Sequence, residues 1–215
     1  MKKIALLITA SLVMLVSFAQ NDKYNAAMKK NLSEIDSSLI KGNVDGLTAL
    51  AANFERIGDA EKTQWLPYYY STYCHVMTAF MKNDPALNDG FADKADQALA
   101  KAEAIEKNNS EISLLKAMIT SVRMLANPMQ RWMELGPKIQ QFSQEALTQD
   151  PTNPRPHWFS GVSLKNTPEQ FGGGCSTAKP ELQKAMELYN SFKPASDLHP
   201  NWGRQVCEKD LADCK

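Results

Sequence analysis

The sequence predicts an all-α fold, because apolar residues recur at helical spacing and turn-forming residues separate the segments that carry them. Leu66, Tyr70, Tyr73, Met77 and Phe80 form one apolar stripe with spacings of three and four. No window alternates apolar and polar residues for long enough to predict a half-buried strand. We therefore expect nine helices, at 22–41, 44–57, 64–82, 92–106, 110–125, 136–149, 155–166, 178–192 and 201–214.

Turn chemistry supports these boundaries. Gly42 and Asn43 separate the first two helices, and the Asn-Asp-Pro run at 83–85 ends the third. The Asn-Asn-Ser run at 108–110 ends the fourth helix and provides an N-cap for the fifth. The Asp-Pro-Thr-Asn-Pro run at 150–154 likewise ends the sixth helix and caps the seventh. Helices joined by short turns pack as antiparallel hairpins. Two connections, 126–135 and 167–177, are expected to be long loops.

The first nineteen residues have the pattern of a secretory signal peptide. Lys2 and Lys3 precede an uncharged run at 4–18, and Ser17 and Ala19 predict cleavage after Ala19. The alternative is an uncleaved anchor, but the run is short for a membrane span of about 20 residues. We expect a signal peptide at 1–19 and a helical domain at 20–215. The mature chain would then have no transmembrane span and would be periplasmic or secreted.

Composition excludes two classes of partner. The 215 residues are 43% hydrophobic, which is enough for a sizeable core, and the formal net charge is zero. Loss of two lysines with the signal peptide leaves a slight excess of acidic residues. A nucleic acid or an anionic membrane surface calls for a basic excess, so neither is expected as a partner.

Two stretches resemble units of the tetratricopeptide repeat (TPR). The run Glu-Ala-Leu-Thr-Gln-Asp-Pro-Thr-Asn at 145–153, followed by Trp158 and Gly161, resembles the junction between two units. The run at 102–109, which leads to Ala117, repeats this theme. The resemblance covers about 90–192, and the two small residues lie 44 positions apart instead of the 34 of a regular array. It implies a degenerate array of three to four hairpins with a terminal capping helix.

The resemblance also implies a function. TPR arrays form a right-handed solenoid whose concave wall, lined by the first helix of each pair, binds a peptide or protein segment. We therefore expect a non-catalytic scaffold for a protein or peptide partner in the cell envelope. Matching motif positions gives eight wall residues: Glu111, Leu114, Met118, Ser121, Arg155, Trp158, Val162 and Lys165. Arg155 and Lys165 would hold an acidic or C-terminal group, with Trp158 as the apolar anchor.

Two other functions stay open at this point. A hydrolase-type enzyme would build its site from 126–135 and 167–177, with Arg131 and His157 in one pocket. A structural subunit of an envelope assembly would instead have a large apolar interface. Neither metal-ligand spacing nor a nucleophile motif occurs around the three histidines. We therefore predict no catalytic residue, no metal and no cofactor.

Two clusters each allow two interpretations. The aromatic helix at 64–82 is expected to be a buried central helix, with an exposed aromatic wall as the alternative. Methionines are dense at Met118, Met124, Met129 and Met133. They could fill a loose core, or they could form an adaptable apolar contact surface, because methionine side chains change shape at little cost.

Hairpin geometry predicts one disulfide bond. If the last two helices run antiparallel, Cys214 lies opposite residue 179 or so, next to Cys175 in the preceding glycine-rich loop. Seven residues of helix separate Cys207 from Cys214, a rise of about 10.5 Å, so these two cannot readily pair. We expect a Cys175–Cys214 bridge, with Cys74 and Cys207 unpaired and buried.

Overall fold

Helices account for most of the chain that the computed structural model describes, residues 22–214. The expected signal peptide at 1–19 lies outside these residues. Within 22–214 there is no strand, which confirms the predicted all-α class. None of the helices in this part of the chain has the length and apolar character needed to cross a membrane.

Most of the helices follow one another with short connections, and the connections at 166–174 and 192–203 are longer. The first helix, α1, includes residues 22–40. The others are α2 (Val44–Glu61), α3 (Leu66–Lys82), α4 (Pro85–Ile105), α5 (Ser110–Ala126), α6 (Pro128–Gln149), α7 (Pro154–Lys165), α8 (Cys175–Ser191) and α9 (Arg204–Asp213). A short 3-10 helix, Glu169–Phe171, lies between α7 and α8.

Proline explains the largest errors in the predicted boundaries. α4 begins at Pro85, with Asp84 as its N-cap, and α6 begins at Pro128. Proline is favourable at the first position of a helix, because that N–H has no partner within the helix. The expected loop at 126–135 is therefore wrong, since Asn127 alone separates α5 from α6. The expected loop at 167–177 is shorter, because α8 already begins at Cys175.

Consecutive helices pack against each other from α2 to α6, and α7 packs against α8. The aromatic helix α3 lies at the centre of this stack. Tyr68, Tyr69, Tyr70 and Tyr73 are all buried, which confirms the core interpretation of this helix. Each ring meets another aromatic ring or a polar partner; Tyr70, for example, stacks against Phe54 with ring centroids 5.3 Å apart.

The small residue at Gly161 permits the close packing of α7 on α8. A Cβ atom at this position would lie 2.7 Å from Cδ2 of Leu182, which is closer than such atoms can approach. The TPR motif uses a small residue here for the same reason. α7 packs much less closely against α6 than against α8. The site described below lies on the part of α6 that is left uncovered.

The C-terminal segment, residues 192–214, returns across the earlier helices. Cys214 at its end is joined to Cys175 at the start of α8, with 5.0 Å between the Cα atoms, so the predicted bridge is present. Cys74 and Cys207 are free and buried, as expected. The Cys207 thiol donates to the carbonyl of Leu182 at 3.6 Å, which ties α9 to α8.

Candidate functional site

The eight wall residues lie mostly in the interior. Glu111, Leu114, Met118, Arg155 and Trp158 are buried, and Ser121, Val162 and Lys165 are half-buried. Several of them do come together, as the motif positions imply, because α5 and α7 are neighbouring first helices of their hairpins. In this conformation, however, they do not form an open groove.

A buried ion pair joins two of these residues. Arg155 places Nη2 2.6 Å from Oε1 of Glu111, and its Nε donates to the same oxygen at 2.8 Å. Asn153 donates to Oε1 at 2.7 Å, and Tyr69 donates to Oε2 at 2.7 Å. Burial alone would lower the pKa of Arg155, but the negative charge of Glu111 raises it overall, so the guanidinium stays charged.

The C-terminal segment fills the space in front of the wall. Trp202 donates from Nε1 to the Tyr69 hydroxyl at 2.9 Å and stacks against Tyr73 with ring centroids 4.6 Å apart. Trp158 donates to Asp210 at 3.0 Å. Lys165 pairs with Asp210 at 3.1 Å and also with Asp213. Burial opposes the charged form of Lys165, but hydrogen bonds to these two carboxylates raise its pKa overall. The protein's own chain thus occupies the wall, and its binding of a partner stays a prediction.

The pocket required by the hydrolase alternative is not assembled. Arg131 makes a two-pronged ion pair with Asp89, at 2.6 and 2.9 Å, and hydrogen bonding to Arg131 lowers the pKa of that carboxyl. The two residues line a surface cleft of about 440 Å³ that includes neither His157 nor any residue of 167–177. His157 instead contacts Glu181 on α8, with Nδ1 2.7 Å from Oε2.

Exposed apolar side chains are concentrated at the start of α6. Met129 is 86% exposed, Trp132 54% and Met133 74%. We call these three residues the apolar strip. Leu125, at the end of α5, and Phe171, in the connection between α7 and α8, are also exposed. Soluble proteins rarely expose several large apolar side chains together, and such clusters commonly mark binding surfaces.

Unequal helix lengths explain why the apolar strip is uncovered. α6 has 22 residues and α7 only 12, so their lengths are about 33 and 18 Å. α7 packs against α8 and only lightly against α6. Even fully antiparallel to α6 after the turn at 150–153, α7 is too short to reach beyond about the level of residue 138. Residues 128–137 have no α7 beside them. The connection that contains Phe171 follows at this same end.

Sequence reasoning found part of this surface and missed part. Met129 and Met133 are exposed, as the surface alternative for the methionine cluster requires, whereas Met118 is core. Trp132 was missed, because 126–135 was expected to be a loop. The available signal was Pro128, followed by apolar residues one, four and five positions later, which is the pattern of one helix side.

Comparison with known proteins relates the structure to a solved one. No protein-family profile and no curated protein matches the sequence. The TPR resemblance is therefore limited to the architecture, a stack of helical hairpins. The structure is similar to that of the HusA haemophore from Porphyromonas gingivalis, with a TM-score of 0.79 and 33% sequence identity over 89% of this chain and 92% of that chain. At this identity and coverage, the chain belongs to the family of the HusA haemophore.

Proposed function

We propose that this protein is an exported, non-catalytic protein that binds haem or a closely related porphyrin at the apolar strip. Two observations support this function. The related HusA protein is a haemophore. The described residues also present one concentrated set of exposed aromatic and thioether side chains, at the end of α6 that α7 leaves uncovered.

The apolar strip has the chemistry that a porphyrin requires. The macrocycle is flat and largely apolar, and an indole such as that of Trp132 can stack against it. Met129 and Met133 adjoin the indole on one side, and their flexible side chains can adapt to the edge and face of a rigid ring. The side chains that line small-ligand sites are mostly apolar and aromatic, with few polar groups, which fits the composition of the strip.

Charged groups near the apolar strip are already paired. Arg131 is held by Asp89, and Lys138 pairs with Glu134 at 2.8 Å. These basic side chains therefore offer little free positive charge to the propionates of haem. Contact with the ring face, and not attraction of the propionates, supplies most of the affinity in this proposal.

Export is part of the same proposal. The signal-peptide pattern at 1–19 and the Cys175–Cys214 bridge both favour an oxidising compartment, either the periplasm or the cell exterior. A protein that carries haem in such a compartment needs a binding surface and no catalytic group. This is consistent with the absence of a nucleophile or metal-ligand motif in the sequence.

A hemin titration of the mature protein tests the function. We expect saturable binding, observed as a shift of the Soret band and as quenching of tryptophan fluorescence. Trp132→Ala should weaken the affinity roughly ten-fold or more, because it removes the aromatic stacking surface of the strip. Ile40→Ala is the matched control, since Ile40 is an exposed apolar residue on α1, far from α6 in the stack.

Absence of saturable hemin binding would refute the proposal, and an unchanged affinity in Trp132→Ala would refute the site. A protein or peptide partner in the envelope is the second candidate, because a methionine-rich apolar surface also suits a peptide. In that case, an envelope protein should co-purify with the wild-type chain and be lost with Trp132→Ala. A permanent assembly subunit would instead remain in a complex on size exclusion.

A further inference from the structure

The methionines within residues 22–214 differ sharply in exposure. Met129 and Met133, in the apolar strip, are the exposed ones, whereas Met28 and Met118 are 0% and 1% exposed. The other methionines in this part of the chain are half-buried. A peroxide oxidises a thioether only where it can reach the sulfur. The apolar strip therefore holds the two methionines that an oxidant in solution reaches most readily.

Thiols would compete for a peroxide if they were accessible. Cys175 and Cys214 are joined in the disulfide, and Cys74 and Cys207 are buried. Burial raises the pKa of both free thiols, to about 12 for Cys207, so neither is a reactive thiolate at neutral pH. Mild oxidation should therefore act on the apolar strip before it acts on any cysteine.

Oxidation by a peroxide requires no other group of the protein. The lone pair of the methionine sulfur attacks one oxygen of hydrogen peroxide, and the O–O bond breaks. The transferred oxygen gives its proton to the departing one, which leaves as water. The sulfur has then lost two electrons to the peroxide and carries the oxygen as a sulfoxide. A flexible apolar side chain thus becomes a polar hydrogen-bond acceptor.

The position of the two sulfurs on α6 makes this change matter for ring binding. Met129 and Met133 are one helical turn apart, and Trp132 lies beside them, so the three side chains span roughly 100° of the helix circumference. A flat ring that stacks on the indole would therefore cover both methionines. If these carried sulfoxides, the ring would remove water from their oxygens.

The basic neighbours of the strip are already engaged by carboxylates. Arg131 donates to both carboxylate oxygens of Asp89, and Lys138 is paired with Glu134. These groups offer the sulfoxide oxygens no replacement for the water that a bound ring would displace. Covering a polar group without providing a hydrogen bond costs free energy, so each sulfoxide opposes ring binding.

We propose that Met129 and Met133 form a redox-sensitive modification site, where oxidation to the sulfoxides by a peroxide releases the bound porphyrin. This inference rests on the proposed function and adds a means of control to the same site. The core stays intact on oxidation, because both side chains are exposed. Reduction of the sulfoxides restores the apolar surface, so the change is reversible.

Peptide mapping by mass spectrometry, together with hemin titration, tests the site. Mature protein treated with limiting hydrogen peroxide, then with catalase, should gain oxygen at Met129 and Met133 while Met28 and Met118 stay unmodified. The oxidised protein should keep its circular dichroism spectrum and bind hemin at least about ten-fold more weakly. Treatment with methionine sulfoxide reductases should restore the affinity, with unoxidised protein carried through the same treatment as the reference.

Variants assign the effect to the strip. Leucine cannot form a sulfoxide, so the hemin affinity of Met129→Leu/Met133→Leu should differ less than about two-fold before and after peroxide. Met186→Leu, at a half-buried position on α8, is the matched control and should lose affinity on oxidation as wild type does. Equal affinities of oxidised and unoxidised wild type, or an equal loss in the double leucine variant, would overturn the modification site. Absence of hemin binding by unoxidised wild type would refute the proposed function instead.

Discussion

Removal of the Cys175–Cys214 bridge should cost a calculable amount of stability. The two residues are 39 positions apart, so the bond closes a loop of about 40 residues in the unfolded chain. The loop-entropy relation gives a loss of about 13 cal/mol/K for the cross-linked unfolded state, or about 4 kcal/mol at 25 °C. The variant Cys175→Ser/Cys214→Ser should therefore lose roughly 3–4 kcal/mol of unfolding free energy.

Urea denaturation followed by circular dichroism measures this difference, with the oxidised wild type as reference. Wild type treated with a reductant should shift to the midpoint of the double variant, whereas the same reductant should not move the variant itself. The C-terminal segment should also exchange its amide hydrogens faster in the variant, because α9 loses its covalent tie to α8. A loss below about 1 kcal/mol would refute the loop-entropy reasoning for this bridge.

Two further predictions concern buried polar groups. Arg155→Ala should destabilise the fold by roughly 3–5 kcal/mol, because it leaves Glu111 buried and unpaired, whereas Arg155→Met with Glu111→Leu should recover most of that loss in thermal denaturation. A double variant no more stable than the single one would contradict this. The folded-state pKa of His75 is lowered to about 4 from an ordinary 6.5, so the unfolded chain binds the proton first as the pH falls. Wild type should therefore lose about 3 kcal/mol between pH 7 and pH 4 relative to His75→Gln, and parallel pH profiles for the two proteins would exclude this cause.

Local signals in the sequence were sufficient for the fold class and for the disulfide. Helical spacing and capping residues act within a few positions, so they predicted helices whose existence the structure confirms. The Cys175–Cys214 bridge followed from the antiparallel pairing of the last two helices alone, although residues 192–203 separate them. Boundaries were wrong where proline both ends one helix and begins the next, as at Pro85 and Pro128.

Long-range packing explains what the sequence could not predict at the site. The wall residues were identified as neighbours, and Arg155 and Glu111 do meet. Their burial depends on Trp202, which contacts Tyr69 across 133 positions of sequence. No local pattern indicates that a chain end will return over an earlier helix. Exposure of the apolar strip likewise depends on where α7 stops relative to α6, which is a property of two helices together.

The shortness of α7 means that chain length, and not side-chain identity, sets how much of α6 stays exposed. One additional helical turn after Lys165 would advance α7 by about 5.4 Å and would shield one more turn of α6. Insertions of seven to eight residues at this point, about two turns, would extend α7 to the level of the indole. Conversely, shortening α7 by a turn would lengthen the accessible face. The exposed area of α6 can therefore be changed by insertions and deletions in a surface connection, the kind of change that a folded chain tolerates best.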